Sequence, residues 1–485
     1  MADRTASPGS ATEYDVIVVG GGPGGSSAAS FCSRAGLRTL LLEKSKYPRD
    51  KTCGDAISGK SIAVLRELGL HTWIEKEPYA RANGVVFSSP AGDVVQIPFP
   101  KKIDPASMKD QRTYKYIDPG YVVRRLVFDN IVFSYAKKQE NVTAIEEFAV
   151  TDVVIEEGFA RGVTGKHKDG REQTFRAKVV IGADGALSKV ASAVGAYDFE
   201  NKNHDHWIGA FRWYADGITD LTDDIEIHFV DGLLPGYFWI FPVDNGAANV
   251  GAGMVETDLQ AKGPDGKKKV NMKEITFEII KSHPMFKERF KNATTWEGSF
   301  KGWQLPCGSE RRTLAGNGWM LVGDAGGLID PFSGEGIGNA LVSGRYAAEY
   351  AALAIKKGDV SKATLAAYEA RIWKELGHEL DMSYKLQKMG RHTWLLNWVL
   401  RKAATKPAVR ALISDMLADR EKKEQLTGWW SILKILLLPS WMLPKASGDG
   451  VDAGKAVPPQ ALPRQLERAR AAEVPKQLVA PGQRK

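Results

Sequence analysis

Gly20, Gly22 and Gly25 carry the plainest chemistry in this chain, set as G-x-G-x-x-G in Gly20-Gly21-Gly22-Pro23-Gly24-Gly25. In such a string the first glycine permits a tight turn, the second lets a pyrophosphate come against the backbone, and the third packs a helix close to a strand. N–H groups at the start of that helix then meet the phosphate charge. Glu43 stands at the end of the next apolar run, where a carboxylate accepts the hydroxyls of a ribose. These residues together support a dinucleotide site. A second group, Tyr237, Trp239 and Phe241, is aromatic at every other position of a run that ends on Pro242. In a strand the three rings share one face and form a wall suited to a long apolar ligand, and they suit an ordinary sheet core as well. Cys53 reads either as a thiol beside a reacting group or as a small packing residue, whereas Cys32 and Cys307 sit in no motif and read as packing.

The elements that position these residues follow from the apolar patterning. Tyr14 to Val19 is a short apolar run of the kind buried on both faces of a parallel sheet. The small residues Ser26 to Ala35 read as a helix and Thr39 to Glu43 as the next strand, making a β-α-β unit. Two later runs, Val179-Val180-Ile181 and Trp319-Met320-Leu321-Val322, each lead into a glycine and an aspartate and are expected to return to the same sheet. The first domain is therefore discontinuous. From Trp207 to Glu256 short aromatic and β-branched stretches between Gly, Asp and Pro turns predict an antiparallel sheet. After Gly336 the chain reads as helical, over Leu341 to Lys356 and Ser361 to Lys388. Beyond Pro444 it is rich in Pro, Ala, Gly, Gln and charge without apolar periodicity, which predicts disorder.

With 485 residues, 43% of them hydrophobic, the chain can bury a large core divided among two or three units. The net charge of +8 suits an anionic membrane surface or an acidic substrate, and an ordinary solvated basic surface equally. Because the charges are spread rather than blocked into one arm, no nucleic-acid partner is expected. Three cysteines without CxxC or Cys/His spacing predict neither zinc nor a disulfide framework, so no metal is expected and a reducing compartment fits best. Met1 to Glu13 lacks the apolar stretch of a secretory signal, and Trp429 to Leu443, broken by Lys434 and Pro439, is too short to span a bilayer.

Further strings carry a family resemblance. Ile181-Gly182-Ala183-Asp184-Gly185 and Val322-Gly323-Asp324-Ala325-Gly326-Gly327 resemble two additional signatures of the flavoprotein family that includes the aromatic hydroxylases. The resemblance implies FAD as the cofactor, Asp324 on its ribityl or ribose hydroxyls, and Asp184-Gly185 beside it. Arg125, in Arg125-Leu126-Val127-Phe128-Asp129, resembles that family's arginine on the FAD side, with a purely structural helix arginine as the alternative. The run Asp330 to Gly338 opens a helix where the family places the pyrimidine end of the flavin. At Gly336 and Ile337, a helix start carrying roughly half a positive charge would stabilise the N1 anion of the reduced ring.

Within that group, Pro48-Arg49-Asp50-Lys51-Thr52-Cys53-Gly54-Asp55-Ala56-Ile57 and Leu234-Pro235-Gly236-Tyr237-Phe238-Trp239-Ile240-Phe241-Pro242 resemble two signatures of the geranylgeranyl reductase family, over roughly Tyr14 to Lys388. This implies an FAD-dependent reductase that saturates carbon–carbon double bonds in the polyprenyl chain of a lipid, quinone or pigment. Cys53, Tyr237 and Trp239 are then the expected catalytic residues, and Tyr237, Trp239, Phe241 and Pro242 the expected substrate pocket. Cys53, Tyr237 or a water could supply the proton. The electron donor stays open among NAD(P)H, a ferredoxin and a quinol. A flavin monooxygenase or halogenase on the same scaffold is the rival, although the Trp-x-Trp-x-Ile-Pro string of halogenases is not found.

The expected fold is α/β. A Rossmann-type FAD-binding domain, built from residues 14–80, 121–195 and 306–356, receives an inserted antiparallel substrate domain from 81–120 and 196–305. A helical C-terminal region spans 357–443, between a flexible start at 1–13 and a disordered tail at 444–485. The tryptophans of Trp394 to Leu400 and Trp429 to Leu443, flanked by Arg391, Arg401, Lys402 and Lys434, predict a cytoplasmic protein held peripherally on the membrane face. Buried helices closing the substrate domain are the competing reading of those segments.

Overall fold

The computed structural model describes residues 13–99, 120–261, 271–407, 409–410 and 413. Its centre is an eight-stranded sheet whose parallel part runs Trp319–Leu321, Glu172–Gly182, Glu13–Val19, Thr39–Leu42, Val142–Ile145 in spatial order. Val16, Ile17 and Val18 are fully buried because both faces of this sheet are covered. An antiparallel hairpin, Phe148–Glu156 with Phe159–His167, is added through Glu172–Gly182.

The first helix, Pro23–Arg34, begins three residues before the small-residue run predicts, since proline at a first helical position forfeits an N–H that has no partner there anyway. It lies against the long helix Ile337–Lys357. Small residues let the two backbones close: a Cβ on Gly344 would stand 2.2 Å from the carbonyl of Gly24. Strand and helix residues distant in sequence thus share one core, from Val16 and Ala28 to Leu341 and Tyr346.

A second eight-stranded sheet runs Thr294–Thr295, Trp207–Asp216, Ala248–Val255, Tyr237–Pro242, Asp224–His228, Gly84–Ser88, Val94–Pro98, with Lys301–Pro306 also on Trp207–Asp216. It is antiparallel apart from one pair: Gly84–Ser88 lies parallel to Asp224–His228. Two strands recruited from well before Trp207 thus extend the expected antiparallel sheet and make it mixed. A short sheet of Ala56–Ile57, Gly120–Val122 and Ala80–Ala82 completes the strands.

The C-terminal helices, Lys362–Ile372 and His378–Met389, are joined by a wide π-helical turn at Trp373–Gly377, which interrupts the single helix read over Ser361 to Lys388. The next helix, Thr393–Thr405, buries Leu395, Leu400 and Ala403 and packs with Val85, Val95 and Ile97 of the second sheet. That side of the segment serves a core, as the competing reading holds. Trp394 is 69% exposed. The segment Trp429 to Leu443, the tail 444–485 and most of 1–13 lie outside the described residues.

Candidate active site

The glycine turn joins Glu13–Val19 to the first helix, and its three glycines meet different surroundings. Gly20 has φ +104°, in the left-handed region. A Cβ on Gly25 would lie 1.8 Å from the Gly20 carbonyl, so helix and strand touch there. A Cβ on Gly22 would meet only a guanidinium nitrogen of Arg49, at 3.6 Å. Gly22 is thus the open side of the turn, the space a phosphate would take. Glu43, buried at the end of Thr39–Leu42, accepts the Gly21 and Ser45 N–H groups at 2.8 Å each.

Arg49, beside that open side, was not singled out by sequence, although it stands in the Pro48 to Ile57 string. Its guanidinium lies over the Tyr47 ring and pairs with Asp129 at 2.6 Å, and Tyr47 stacks on Phe133 and donates to the Gly21 carbonyl. Arg125, expected toward the cofactor, is spent on Asp129 as well, through bonds of 2.6 and 2.8 Å one helical turn along Arg125–Lys137. Burial pushes the Asp129 carboxyl up, but the Arg125 and Arg49 charges outweigh it and hold it below the ordinary range. Of the two arginines it is Arg49, partly exposed, that borders the glycine turn.

Asp184 and Gly185 follow Ala183, whose carbonyl abuts Gly20. The Asp184 carboxylate, however, accepts from the Ser188 hydroxyl and from the N–H groups of Lys189 and Val190, capping the short helix Lys189–Ala193. Its backbone is beside the turn and its charge is committed to the helix. Asp324 sits on the turn Gly323–Gly326, where Lys51 reaches it at 2.9 Å. Gly336 lies close by, since a Cβ there would stand 3.6 Å from an Asp324 oxygen. Gly336 caps the helix that starts at Ile337, and Glu335 accepts the Gly338 N–H at 2.7 Å and the Ser58 hydroxyl at 2.9 Å.

On the strand Tyr237–Pro242, ring centroids of Tyr237 and Trp239 are 6.0 Å apart and those of Trp239 and Phe241 6.2 Å, one aromatic row. Pro242, expected in the pocket, falls on the opposite face by the same alternation, the face on which Phe238 and Ile240 enter another core. The Tyr237 hydroxyl donates to the Ser333 carbonyl and so ties the row to the run before Gly336.

The segment that carries Cys53 meets the wall at Gly54. A Cβ on Gly54 would lie 2.8 Å from the Phe241 ring and 3.8 Å from the Trp239 indole nitrogen, so the backbone of this segment lies flush on the rings. Burial pushes the half-buried Cys53 thiol up, with Arg125 opposing, and burial also raises the Tyr237 hydroxyl, aided by the Asp330 charge. Both groups keep their protons at neutral pH. Asp55, Asn249 and Tyr214, none of them read from sequence, meet beside the wall, where Tyr214 and Asn249 both bond the Asp55 carboxylate on the face that carries Phe241. Asp55 at least stands in the Pro48 to Ile57 string, while Asn249 and Tyr214 carry no local signal. Among the described residues no cluster of His, Cys, Asp or Glu could hold a metal ion.

The residues present fit a dinucleotide with an apolar ligand beside it: an open glycine turn, a carboxylate behind it, and an aromatic row joined to a helix start. The family described as FAD binding domain matches residues 13–373. A digeranylgeranylglycerophospholipid reductase of Methanocella arvoryzae is 31% identical over 386 residues, covering 78% of this chain and 87% of the relative. A menaquinone reductase of Mycobacterium tuberculosis is 30% identical over 341 residues, 69% of this chain and 76% of the relative. Among solved structures, a geranylgeranyl bacteriochlorophyll reductase-like protein from Thermoplasma acidophilum superposes with a TM-score of 0.71 at 24% identity, over 85% of this chain and 98% of that one.

Proposed function

Since this chain belongs to the FAD-binding domain family, and within it to the geranylgeranyl reductases, we propose that it is an FAD-dependent reductase of carbon–carbon double bonds in a polyprenyl chain. The observation that carries this reading is the close approach of Gly54, next to Cys53, to the Trp239 and Phe241 rings, on a row whose other end, Tyr237, is bonded to the run leading into the cofactor helix. Gly22, Arg49, Glu43, Asp324 and the start of the Ile337 helix would hold FAD. When bound and reduced, FAD supplies the hydride. An isoprenoid offers no polar handle, so orientation falls to the aromatic row, which also excludes water. The Tyr237 proton is engaged by the Ser333 carbonyl, which leaves the Cys53 thiol as the proposed proton source.

Membrane docking is part of the proposal. The aromatic line continues from Tyr237 to Phe229 at 6.4 Å and on to Phe332 at 6.0 Å. These rings pack with Leu396 and Trp398 of the helix that exposes Trp394. A substrate dissolved in a bilayer needs a docking surface, and the exposed Trp394 suits the lipid headgroup boundary, while Arg391 and Arg401, partly exposed, are paired with Asp258 and Asp93 at 2.6 and 3.3 Å. No helix among the described residues is long and apolar enough to cross a membrane.

Anaerobic incubation of the dithionite-reduced protein with digeranylgeranylglycerophospholipid or menaquinone tests the reaction by mass spectrometry. Products heavier by pairs of hydrogens are expected. No mass gain with either lipid, together with substrate-dependent oxygen consumption in air, would assign the chain to the monooxygenases instead.

A further inference from the structure

Asp55 is a fully buried acid with a left-handed backbone, φ +68°, which side-chain-bearing residues rarely adopt. Something must hold it there. One carboxylate oxygen accepts the Tyr214 hydroxyl at 2.6 Å and the Asn249 amide at 2.7 Å, and the other accepts the Arg125 backbone N–H at 3.2 Å. Tyr214 and Asn249 are register partners on neighbouring strands, and Asn249 is also the partner of Phe241, so the three form one row across the sheet. Arg212, a strand neighbour in the same sheet, holds Asp50 at 2.6 Å with its own side chain completely buried. The segment from Asp50 to Asp55 is therefore pinned to the sheet at both ends, with Cys53 between the pins.

Asn249 connects this clamp to the wall. Its amide donates to Asp55 and to the Cys53 carbonyl, each at 2.7 Å, and its carbonyl accepts the Trp239 indole N–H at 2.9 Å. Both N–H bonds and the carbonyl are used, so the amide can face only one way. An aspartate in its place would present oxygen to two acceptors. An asparagine at Asp55 would present N–H groups to donors or leave one donor unmet, a costly outcome in a buried site.

We propose that Asp55 is a positioning residue that, acting through Asn249, holds Cys53 and the Trp239 ring in the register the reaction requires. This rests on the reading of that ring as substrate-facing. The charged groups around Asp55 are Arg125 and Arg212, with the neutral Tyr214 and Cys53 completing its surroundings. The Tyr214 hydroxyl, the Asn249 amide and the Arg125 N–H all donate to its carboxylate, so the network favours the ionised form against the effect of burial.

The test uses full-length FAD-loaded protein carrying Asp55→Asn, Asn249→Asp or both, with flavin content, turnover of digeranylgeranylglycerophospholipid in micelles, and alkylation of Cys53 by iodoacetamide as readouts. Cys53 is the half-buried thiol, Cys32 and Cys307 being buried, and peptide mass spectrometry separates them. Each single substitution is expected to lower kcat at least tenfold and to change the Cys53 alkylation rate at least fivefold with flavin content kept. The double substitution, which exchanges acid and amide, should recover part of both. Tyr214→Phe keeps the ring, and about a threefold fall in kcat is expected from it even if the single swaps fail to fold. Wild-type alkylation and kcat in the variants that fold, or a double variant no better than the worse single one, overturns the assignment. If the wild type reduces neither lipid, the reaction reading falls, and the alkylation rates alone then decide the role of Asp55.

Discussion

The glycine turn and the aromatic wall border one site by opposite means. At the turn, backbone N–H groups, Arg49, Lys51 and two carboxylates offer charge and directional bonds, which suit a phosphate-bearing ligand. At the wall, Trp239 and Phe241 offer apolar faces, and their one polar atom, the indole N–H, is consumed internally by Asn249. On the proposed reading the turn would draw specificity from polar atoms beside the ligand. On the proposed reading the wall would draw it from shape, while its indole hydrogen bond runs sideways to Asn249 on the neighbouring strand and fixes the Trp239 ring. Damage to the turn should therefore appear first as lost cofactor, and damage to the wall as lost turnover with cofactor retained.

Two substitutions at the turn sharpen this contrast with the largest effects. Gly25→Val drives its side chain into the Gly20 carbonyl, so loss of both soluble folded protein and flavin colour is expected. Gly22→Val meets nothing closer than Arg49, so its melting temperature without flavin should stay near wild type while FAD affinity falls at least a hundredfold. Flavin absorbance and thermal melts separate the two outcomes, and normal FAD content in Gly22→Val would remove the phosphate from this turn.

At the wall, Trp239→Ala empties a buried ring site and should cost about 3–5 kcal/mol of stability by denaturant titration. Lipid turnover should drop at least a hundredfold while the surviving folded protein stays yellow. Equal loss of flavin and turnover would make the row an ordinary core.

The pH dependence of Asp55 provides a smaller effect. Burial, opposed by the Tyr214 and Asn249 hydrogen bonds, raises its carboxyl to about 6 from 3.8. A folded-state value above the unfolded one favours folding fully below the unfolded value, and that contribution disappears as pH rises through the folded value. Wild type should thus lose on the order of 2–3 kcal/mol of stability between pH 4 and pH 7 relative to Asp55→Asn. Denaturant midpoints for the two proteins across that window measure the difference, and parallel curves would place the titration elsewhere. Smallest of all, Trp394→Ala should change stability by no more than about 0.5 kcal/mol, since the ring is exposed, yet weaken flotation with anionic vesicles. Unchanged flotation would take this helix out of the membrane surface.

Much of the turn was legible in the amino-acid order because its parts are local. Gly20 to Gly25 lie in one loop, Glu43 closes the next strand, and the period-two spacing of Tyr237, Trp239 and Phe241 places them in one row wherever the strand goes. The same alternation, fully applied, excludes Pro242 from that row. Other assignments depended on partners far along the chain. Arg125 reads as the arginine on the cofactor side and Arg49 draws no notice, and only the position of Asp129 between them spends the first on the core and leaves the second beside Gly22. Asp184 reads as a residue beside the cofactor, and only the packing of the helix that follows commits its carboxylate elsewhere. Asp55 and Asn249 are 194 residues apart, and their bond exists because the strand Ala248–Val255 pairs with Trp207–Asp216 and thereby sets Asn249 beside Tyr214. Local conformational preference and periodicity are written in adjacent residues and survive without a fold. The partner of a buried charge is chosen by the packing that excludes water around it, so it is decided only when the tertiary structure forms.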